Sequence, residues 1–303
     1  MSKHVAVLMG GWSVEREVSL VSGHAVAVAL KDRGWSVTEI DVDRDIATVL
    51  PGIAPDLVFN ALHGRWGEDG CIQGLCELLK IPYTHSGVLA SAAAMNKGVA
   101  RRLFTAAGIT CPDGQVVSRE AAIAGHAMPL PFVVKPLNEG SSVGVRIVMG
   151  EGDLAQLKDA EALGDRVLVE QFIPGREVTV AVMGDRALGV LEITPAGNFY
   201  DYEAKYTAGK SIHVLPAPIN ATVYDEAMGL ALRAHQALGC RGVTRADLRY
   251  DDTSGEPGNL YMLEINTQPG LTPMSLVPEI AAFSGTDFAD LVEWMVEDAG
   301  CDR

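Results

Sequence analysis

Along the first ninety residues, short apolar runs alternate with stretches whose apolar positions recur every three to four residues. His4–Met9 (HVAVLM) is a β-rich apolar run closed by Gly10-Gly11, the pattern of a buried strand entering a loop. Val18–Arg33 has helical spacing and stops at Gly34. Trp35–Val42 and Asp56–Leu62 read as a second and a third strand, and Cys71–Leu79 as a short helix before Pro82. Alternation of this kind predicts an α/β fold with helices on the faces of a parallel sheet. The loops of interest leave the carboxyl ends of the first and third strands, where open α/β sheets bind ligands.

After residue 90 the period changes. Ala90–Ala107 predicts one alanine-rich helix that carries Lys97 and is closed by Gly108. Strand-like segments follow at Phe132–Lys135, Val143–Met149, Val167–Phe172, Glu177–Met183 and Leu188–Ile193. The turn pairs Pro174-Gly175 and Gly184-Asp185 between them predict antiparallel pairing. Thr194–Leu215 has few apolar anchors and reads as a loop. A helix over Val223–Leu238, strands over Gly242–Tyr250 and Leu260–Ile265, and a helical tail complete the chain. No internal repeat or low-complexity linker is visible.

Charge removes several function classes. Among 303 residues, Lys and Arg number 24 against 39 Asp and Glu, a formal charge of −15. A surface this acidic does not suit nucleic acid or anionic lipid, so any phosphate must be met by a few local cations and backbone amides. No leader pattern and no apolar run of roughly 18 residues is present, so a cytoplasmic protein without a membrane span is expected. The five cysteines form no CxxC pair and are expected to be reduced, each a small core hydrophobe.

The last two predicted strands hold the densest chemistry. Residues two apart on a strand share a face, so Glu264 and Asn266 (LEIN) point together, as do Arg245 and Asp247 (TRADL). Paired as a hairpin, they gather Asp247, Glu264, Asn266 and a guanidinium on one face. Oxygen donors without His or Cys suit Mg²⁺. Upstream, Lys135 ends a strand and faces the Gly140-Ser141-Ser142 loop, whose amides and hydroxyls are able to cover phosphates. A plain hairpin loop is the competing reading. Glu170–Ile173 with Glu177 (EQFIPGRE) is either a hinge that takes an adenine edge on its backbone and a ribose on Glu177, or simply two strands joined at Pro-Gly. Glu15 and His63 lie in loops at adjacent strand ends and are candidates to line one site.

As a set, these segments resemble the D-alanine–D-alanine ligases of the ATP-grasp superfamily. The resemblance runs in order through GGWSVEREVSL, ALHGRWGEDG, MNKGVARRLF, VVKPLNEGSSVGV, VLVEQFIPGREVTVAV, YDYEAKY, GVTRADLRYD and LEINTQPGLTPMSLVP. It implies three domains: an N-terminal parallel-sheet α/β domain (residues 1–92), a central lid (93–176) and a C-terminal domain (177–303), with ATP between the last two. It further implies Lys97 and Lys135 on the phosphates, Glu170, Phe172 and Ile173 around adenine, and Glu177 on ribose. Asp247, Glu264 and Asn266 would hold two Mg²⁺, with Mn²⁺ able to replace them. Glu15 would hold the ammonium of the first of two D-alanine molecules, and His63 would sit near its carboxylate. Ser141, Lys205, Ser275 and Leu276 would serve the second. Tyr206 would lock onto Glu15 through Ser141, and Arg245 with the Gly270 amide would form an oxyanion site. The resemblance also implies a homodimer and a role in peptidoglycan precursor synthesis.

Three positions depart from the family pattern. Gln171 stands where Lys is frequent, Gln268 precedes Pro269-Gly270 where Ser is frequent, and Pro273-Met274 replaces a more polar pair. Glu203-Ala204-Lys205-Tyr206 points to a dipeptide product rather than an ester with D-lactate. A dehydrogenase is excluded, because the Gly10-Gly11 loop lacks G-x-G-x-x-G.

Overall fold

Val5, Ala6, Val7 and Leu8 are all fully buried, so β1 (His4–Gly10) is covered on both faces, as a central parallel strand must be. It pairs in parallel with β2 (Ser36–Val42) on one side and β3 (Leu57–Asn60) on the other. The connections are α1 (Arg16–Asp32) and α2 (Ile46–Ile53). The order β2-β1-β3 puts the topological switch between β1 and β3, so the loops after these two strands open onto one crevice. The computed structural model describes residues 3–157, 163–195 and 211–302.

α3 (Cys71–Leu79) has the bounds its spacing predicts. The alanine-rich segment is two helices, not one: α4 (Val88–Met95) and α5 (Lys97–Ala106). At the joint Asn96 is extended, and its side-chain oxygen accepts from the Val99 amide at 3.0 Å. A short polar side chain that can bond its own backbone favours a cap over helix continuation. The break turns Lys97 into the first residue of a new helix.

Two antiparallel sheets follow. The first contains β4 (Gly114–Ser118), β5 (Phe132–Pro136), β6 (Arg146–Val148) and β7 (Arg166–Gln171), in the order β4-β7-β5-β6. β6 is shorter than the predicted Val143–Met149 because residues before it form a turn in which Ser141 and Ser142 take φ of 49° and 59°. The short β4 and α6 (Arg119–Ile123) carry too little periodic apolar signal to be anticipated.

The second sheet has the order β10-β9-β8-β11-β12: β8 (Arg176–Met183), β9 (Arg186–Pro195), β10 (Ser211–Val214), β11 (Val243–Asp251) and β12 (Asn259–Asn266). Gly184-Asp185 makes the expected β8–β9 hairpin. Pro174-Gly175 does not make one; it carries the chain from one sheet to the other. Gly175 has φ of 86°, and a Cβ there would lie 2.1 Å from the Tyr250 carbonyl oxygen, so the crossing passes hard against β11. The segment predicted as a loop over Thr194–Leu215 holds the edge strand β10, with Ile212 opposite Thr194. α7 (Ala221–Ala237) covers this sheet.

The chain end returns to the first sheet. Ile280 of α8 (Leu276–Phe283) and Leu291 and Met295 of α9 (Phe288–Glu297) share a core with Val5, Val7 and Leu30. Among the described residues no helix is long and apolar enough to cross a membrane. Cys76 and Cys240 are buried as expected, and desolvation pushes both thiols up to about 12. Cys71 departs from the expectation: it opens α3 at an exposed position.

Candidate active site

The floor of the site is the β11–β12 hairpin. Its register sets Arg245 opposite Asn266 and Asp247 opposite Glu264, while the alternate residues Ala246 and Leu248 are fully buried beneath. Arg245 forks onto Asp247, Nε to Oδ1 at 2.8 Å and Nη2 to Oδ2 at 2.7 Å, and Thr179 donates to Asp247 Oδ1 at 2.7 Å. A bulge follows Asp247. Beyond it Arg249 donates to the carbonyls of Ile173 (3.1 Å) and Gly175 (2.7 Å) and faces Glu177 at 3.8 Å. Burial holds the Arg249 guanidinium below its ordinary pKa.

Two clefts lie on this floor. The larger, ≈ 140 Å³, runs between the sheets and is walled by Val133, Ile147, Phe172, Ile173 and Leu263, with Lys135, Glu177 and Arg249 as polar points. Lys135 reaches Glu170 at 2.5 Å. Burial alone would lower the Lys135 ammonium, but Glu170 outweighs it, with smaller help from Glu264 and Glu177, and the pKa is raised. Lys97 donates to the Glu139 carbonyl at 2.6 Å and pairs with Glu264 at 3.0 Å, tying α5 to the loop after β5 and to the floor.

The smaller cleft, ≈ 60 Å³, is polar: Glu15, His63, Glu68, Ser141, Arg245, Asn266 and Gly270 line it. It opens into the larger one, because Lys97, Glu139 and Glu264 border both. The Ser141 hydroxyl donates to Glu15, which brings the glycine-serine loop onto the N-terminal end of α1. His63 is held between Glu68 (Nδ1, 3.3 Å) and Ser22 (Nε2, 3.2 Å). Gly64 has φ of 71° and leaves only 2.8 Å between its Cβ position and Glu15 Oε2, so a side chain there would push into the carboxylate.

Comparison with known proteins decides the relationship. Residues 103–297 match the model of the D-ala D-ala ligase C-terminus, and residues 51–86 that of the N-terminus. The chain belongs to the D-alanine–D-alanine ligase family. It is 60% identical over 306 residues to a D-alanine–D-alanine ligase of Paramagnetospirillum magneticum, each chain covered in full. A ligase of the same name from Parvibaculum lavamentivorans is 57% identical over 305 residues, covering 100% of this chain and 99% of that one. A Bacillus anthracis D-alanine–D-alanine ligase solved with ATP superposes with a TM-score of 0.83 at 26% identity, over 98% of this chain and 97% of that chain. The D-Ala:D-Ser ligase VanG of Enterococcus faecalis gives 0.82 at 29% identity, over 98% and 99%.

The structure of this D-alanine–D-alanine ligase family member brings Glu15, His63, Lys97, Lys135, Ser141, Glu170, Phe172, Ile173, Glu177, Arg245, Asp247, Glu264, Asn266 and Gly270 to the walls of the two clefts. Ser275 stands one step back: its hydroxyl accepts from the Thr272 amide at 2.9 Å, beside Gly270. Leu276 is not a wall residue, because its side chain is buried in the core shared with the first sheet. Lys205 and Tyr206 lie outside the described residues. Sequence reasoning missed Glu68, which braces His63, and Arg249. Spacing held a signal for the latter, since Arg245, Asp247 and Arg249 alternate along one strand.

Asp247, Glu264 and Asn266 fit a hard divalent cation: two carboxylates face each other across the hairpin, with a carboxamide two residues along, at the edge of both clefts. Asn266 Oδ1 accepts from the Gln268 amide at 2.8 Å and retains a second lone pair. Arg245 and Lys97 neutralise the two carboxylates meanwhile. Among the described residues no three His, Cys, Asp or Glu side chains converge on one point, so such an ion needs the amide and ligand oxygens to complete its shell.

Proposed function

We propose that this chain joins two D-alanine molecules into D-alanyl-D-alanine for peptidoglycan precursor synthesis, with release of ADP and phosphate from ATP. One observation carries the reading. An apolar cleft of nucleotide character opens, past Lys97 and Glu264, into a small polar cleft with a carboxylate at one side and a guanidinium at the other. The 56–60% identity with full-length ligases of that name supports the same substrates.

A carboxylate does not react with an amine at neutral pH, so activation comes first. ATP transfers its terminal phosphoryl group to the carboxylate of the first D-alanine, giving an acyl phosphate and ADP. The amine of the second then attacks the carbonyl carbon, and phosphate leaves the tetrahedral intermediate. Positioning and charge stabilisation are the protein's part. Glu15 holds the first ammonium, and His63 stands near the first carboxylate. Lys97 and Lys135 hold phosphates under the Gly140-Ser141-Ser142 loop. The backbone of Glu170, Phe172 and Ile173 receives adenine, and Glu177 the ribose.

Arg245 and the Gly270 amide take the charge that develops on oxygen. Lys205 and the Ser275–Leu276 turn receive the second carboxylate. Leu276 acts there through its amide, one of the unpaired N–H groups of a helix start. Tyr206 closes the site through Ser141 and Glu15. Asp247, Glu264 and Asn266 would hold two Mg²⁺, and the chemistry such ions would supply there is Lewis-acid stabilisation of negative charge on phosphate. We further assign domains to 1–92, 93–176 and 177–303, a homodimer, and a cytoplasmic location.

The test is ADP release by the purified chain with ATP and Mg²⁺, offered D-alanine, L-alanine, D-alanine with D-lactate, or D-alanine with D-serine. D-alanine alone should suffice, with the dipeptide seen by mass. A condensed product only with D-lactate or D-serine would refute the dipeptide reading.

A further inference from the structure

Gln268 is among the three departures from the family pattern, and the fold buries it at 1% exposure against an equally buried Asn60 on β3. Both ends of its carboxamide are engaged. Asn60 Nδ2 donates to Gln268 Oε1, and Gln268 Nε2 donates to the Leu62 carbonyl. Asn60 Nδ2 also donates to the Gly67 carbonyl at 2.9 Å, and its Oδ1 accepts from the Leu62 amide at 3.2 Å. Gln73 Nε2 adds a second bond to Gly67, at 2.7 Å. Both ends of the Leu62–Gly67 loop are thereby fixed. The next residues along, His63 and Glu68, bond each other and line the small cleft. On its own strand end, the Gln268 amide sets Asn266 Oδ1, and Gly270 follows two residues later.

From this network we infer that Gln268 is a positioning residue: it locks the loop of the first-substrate cleft to the strand end that carries Asn266 and Gly270. The link joins segments 208 residues apart in sequence. A second tie across the same boundary runs through Ser22, which bonds His63 and receives the Leu271 amide at a long 3.4 Å. Serine at position 268 would carry one hydroxyl on a single carbon and cannot span to both Asn60 and Leu62. The side-chain bonds of Gln268 run to Asn60 and Leu62, away from the nucleotide cleft. Asn266 is held by the Gln268 backbone amide, which a side-chain substitution leaves in place, so the link should bear on amino-acid binding and not on ATP binding.

This inference rests on the ligase reading above, and activity of the unaltered chain tests that reading separately. Gln268→Met keeps the volume and removes both bonds; Gln268→Glu still accepts from Asn60 but cannot donate to Leu62. The KM for D-alanine should rise by at least about tenfold in Gln268→Met, the factor that one buried hydrogen bond of ordinary net worth already gives, and by no less in Gln268→Glu, whose buried carboxylate would face the Leu62 carbonyl. The KM for ATP should stay within about twofold, since the altered energy of a single hydrogen bond is not felt in that cleft. If Gln268→Met does not fold, Gln268→Ser, the residue frequent in the family at this position and too short to reach Asn60 and Leu62, must show the same split. Parallel rises in both KM values with a lowered Tm would reduce Gln268 to a scaffold residue, and unchanged kinetics would remove the role altogether. Either result overturns the inference.

Discussion

Replacing Arg245 by Met tests the oxyanion assignment with most of the stem volume kept. Two effects must be separated. Losing one preorganised donor to a developing oxyanion slows turnover by about 10²–10³, or about 2.7–4 kcal/mol of barrier. The same change strips Asp247 of a two-point partner at 2.8 and 2.7 Å. Stranding one member of a dry ion pair costs about 3–5 kcal/mol. Asp247 keeps the Thr179 hydroxyl at 2.7 Å and borders an open cleft, so about 1–3 kcal/mol is the fitting range.

The variant should therefore be somewhat less stable and still folded at 25 °C. ADP release at saturating ATP and D-alanine, read well below the measured Tm, isolates the kinetic part. Arg245→Lys should fall between, because it keeps the charge but not the planar fork. Thr179→Val is the control: it removes the other partner of Asp247 and should lower Tm with little change in turnover. Arg245→Met turning over within about fivefold of the unaltered chain would refute the oxyanion role, since a donor loss predicts far more.

Two further outcomes follow from the same structure. His235, 4% exposed and bonded to Thr244 at 2.8 Å, has its pKa lowered by burial from 6.5 to about 4. The folded form stays neutral in that window while the unfolded chain takes up a proton, so stability falls as pH drops from 6.5 towards 4, by about 3 kcal/mol in full. Urea midpoints between pH 7 and 4.5 should fall less steeply in His235→Gln, and identical slopes would sink the idea. Chelation by EDTA should stop D-alanine-dependent ADP release, with Mn²⁺ restoring it; undiminished release in EDTA would remove the metal from Asp247, Glu264 and Asn266.

Local pattern carried the first sheet almost entirely, because β1 is apolar on both faces and its neighbours are bounded by glycine and proline signals. It carried the metal-type floor as well: two-residue alternation in TRADL and LEIN is enough to place four side chains on one face, and the hairpin register confirms the pairing of Asp247 with Glu264. What local pattern missed depends on distant partners. Asn96 breaks a helix because its side chain finds the Val99 amide, and Pro174-Gly175 crosses between sheets at a point where Gly175 lies against the Tyr250 carbonyl. Gln268 reads as an isolated departure until Asn60, far away in sequence, is packed against it. The side chain of Leu276 packs into the core, so on the proposed reading only its backbone amide serves the site, which the residue type alone does not reveal.

The charge of −15 sits oddly with an ATP-dependent ligase, and the ion pairs of the site resolve the conflict. Lys97, Lys135, Arg245 and Arg249 each face a carboxylate, at 3.0, 2.5, 2.7 and 3.8 Å respectively. Without ligand the cleft is thus balanced, with no bare cationic patch to collect stray polyanions. On the proposed reading, phosphates and their divalent ions enter as a matched set, the phosphates taking the ammonium groups and the divalent ions taking the released carboxylates. The pairs differ in how readily they exchange. Glu264 is 25% exposed beside a Lys97 that already bends to the Glu139 carbonyl, so this pair opens at little desolvation cost. Glu170 is only 3% exposed, and a carboxylate that dry cannot give up Lys135 without a new partner. Its side chain therefore belongs to the scaffold that keeps Lys135 charged and aimed.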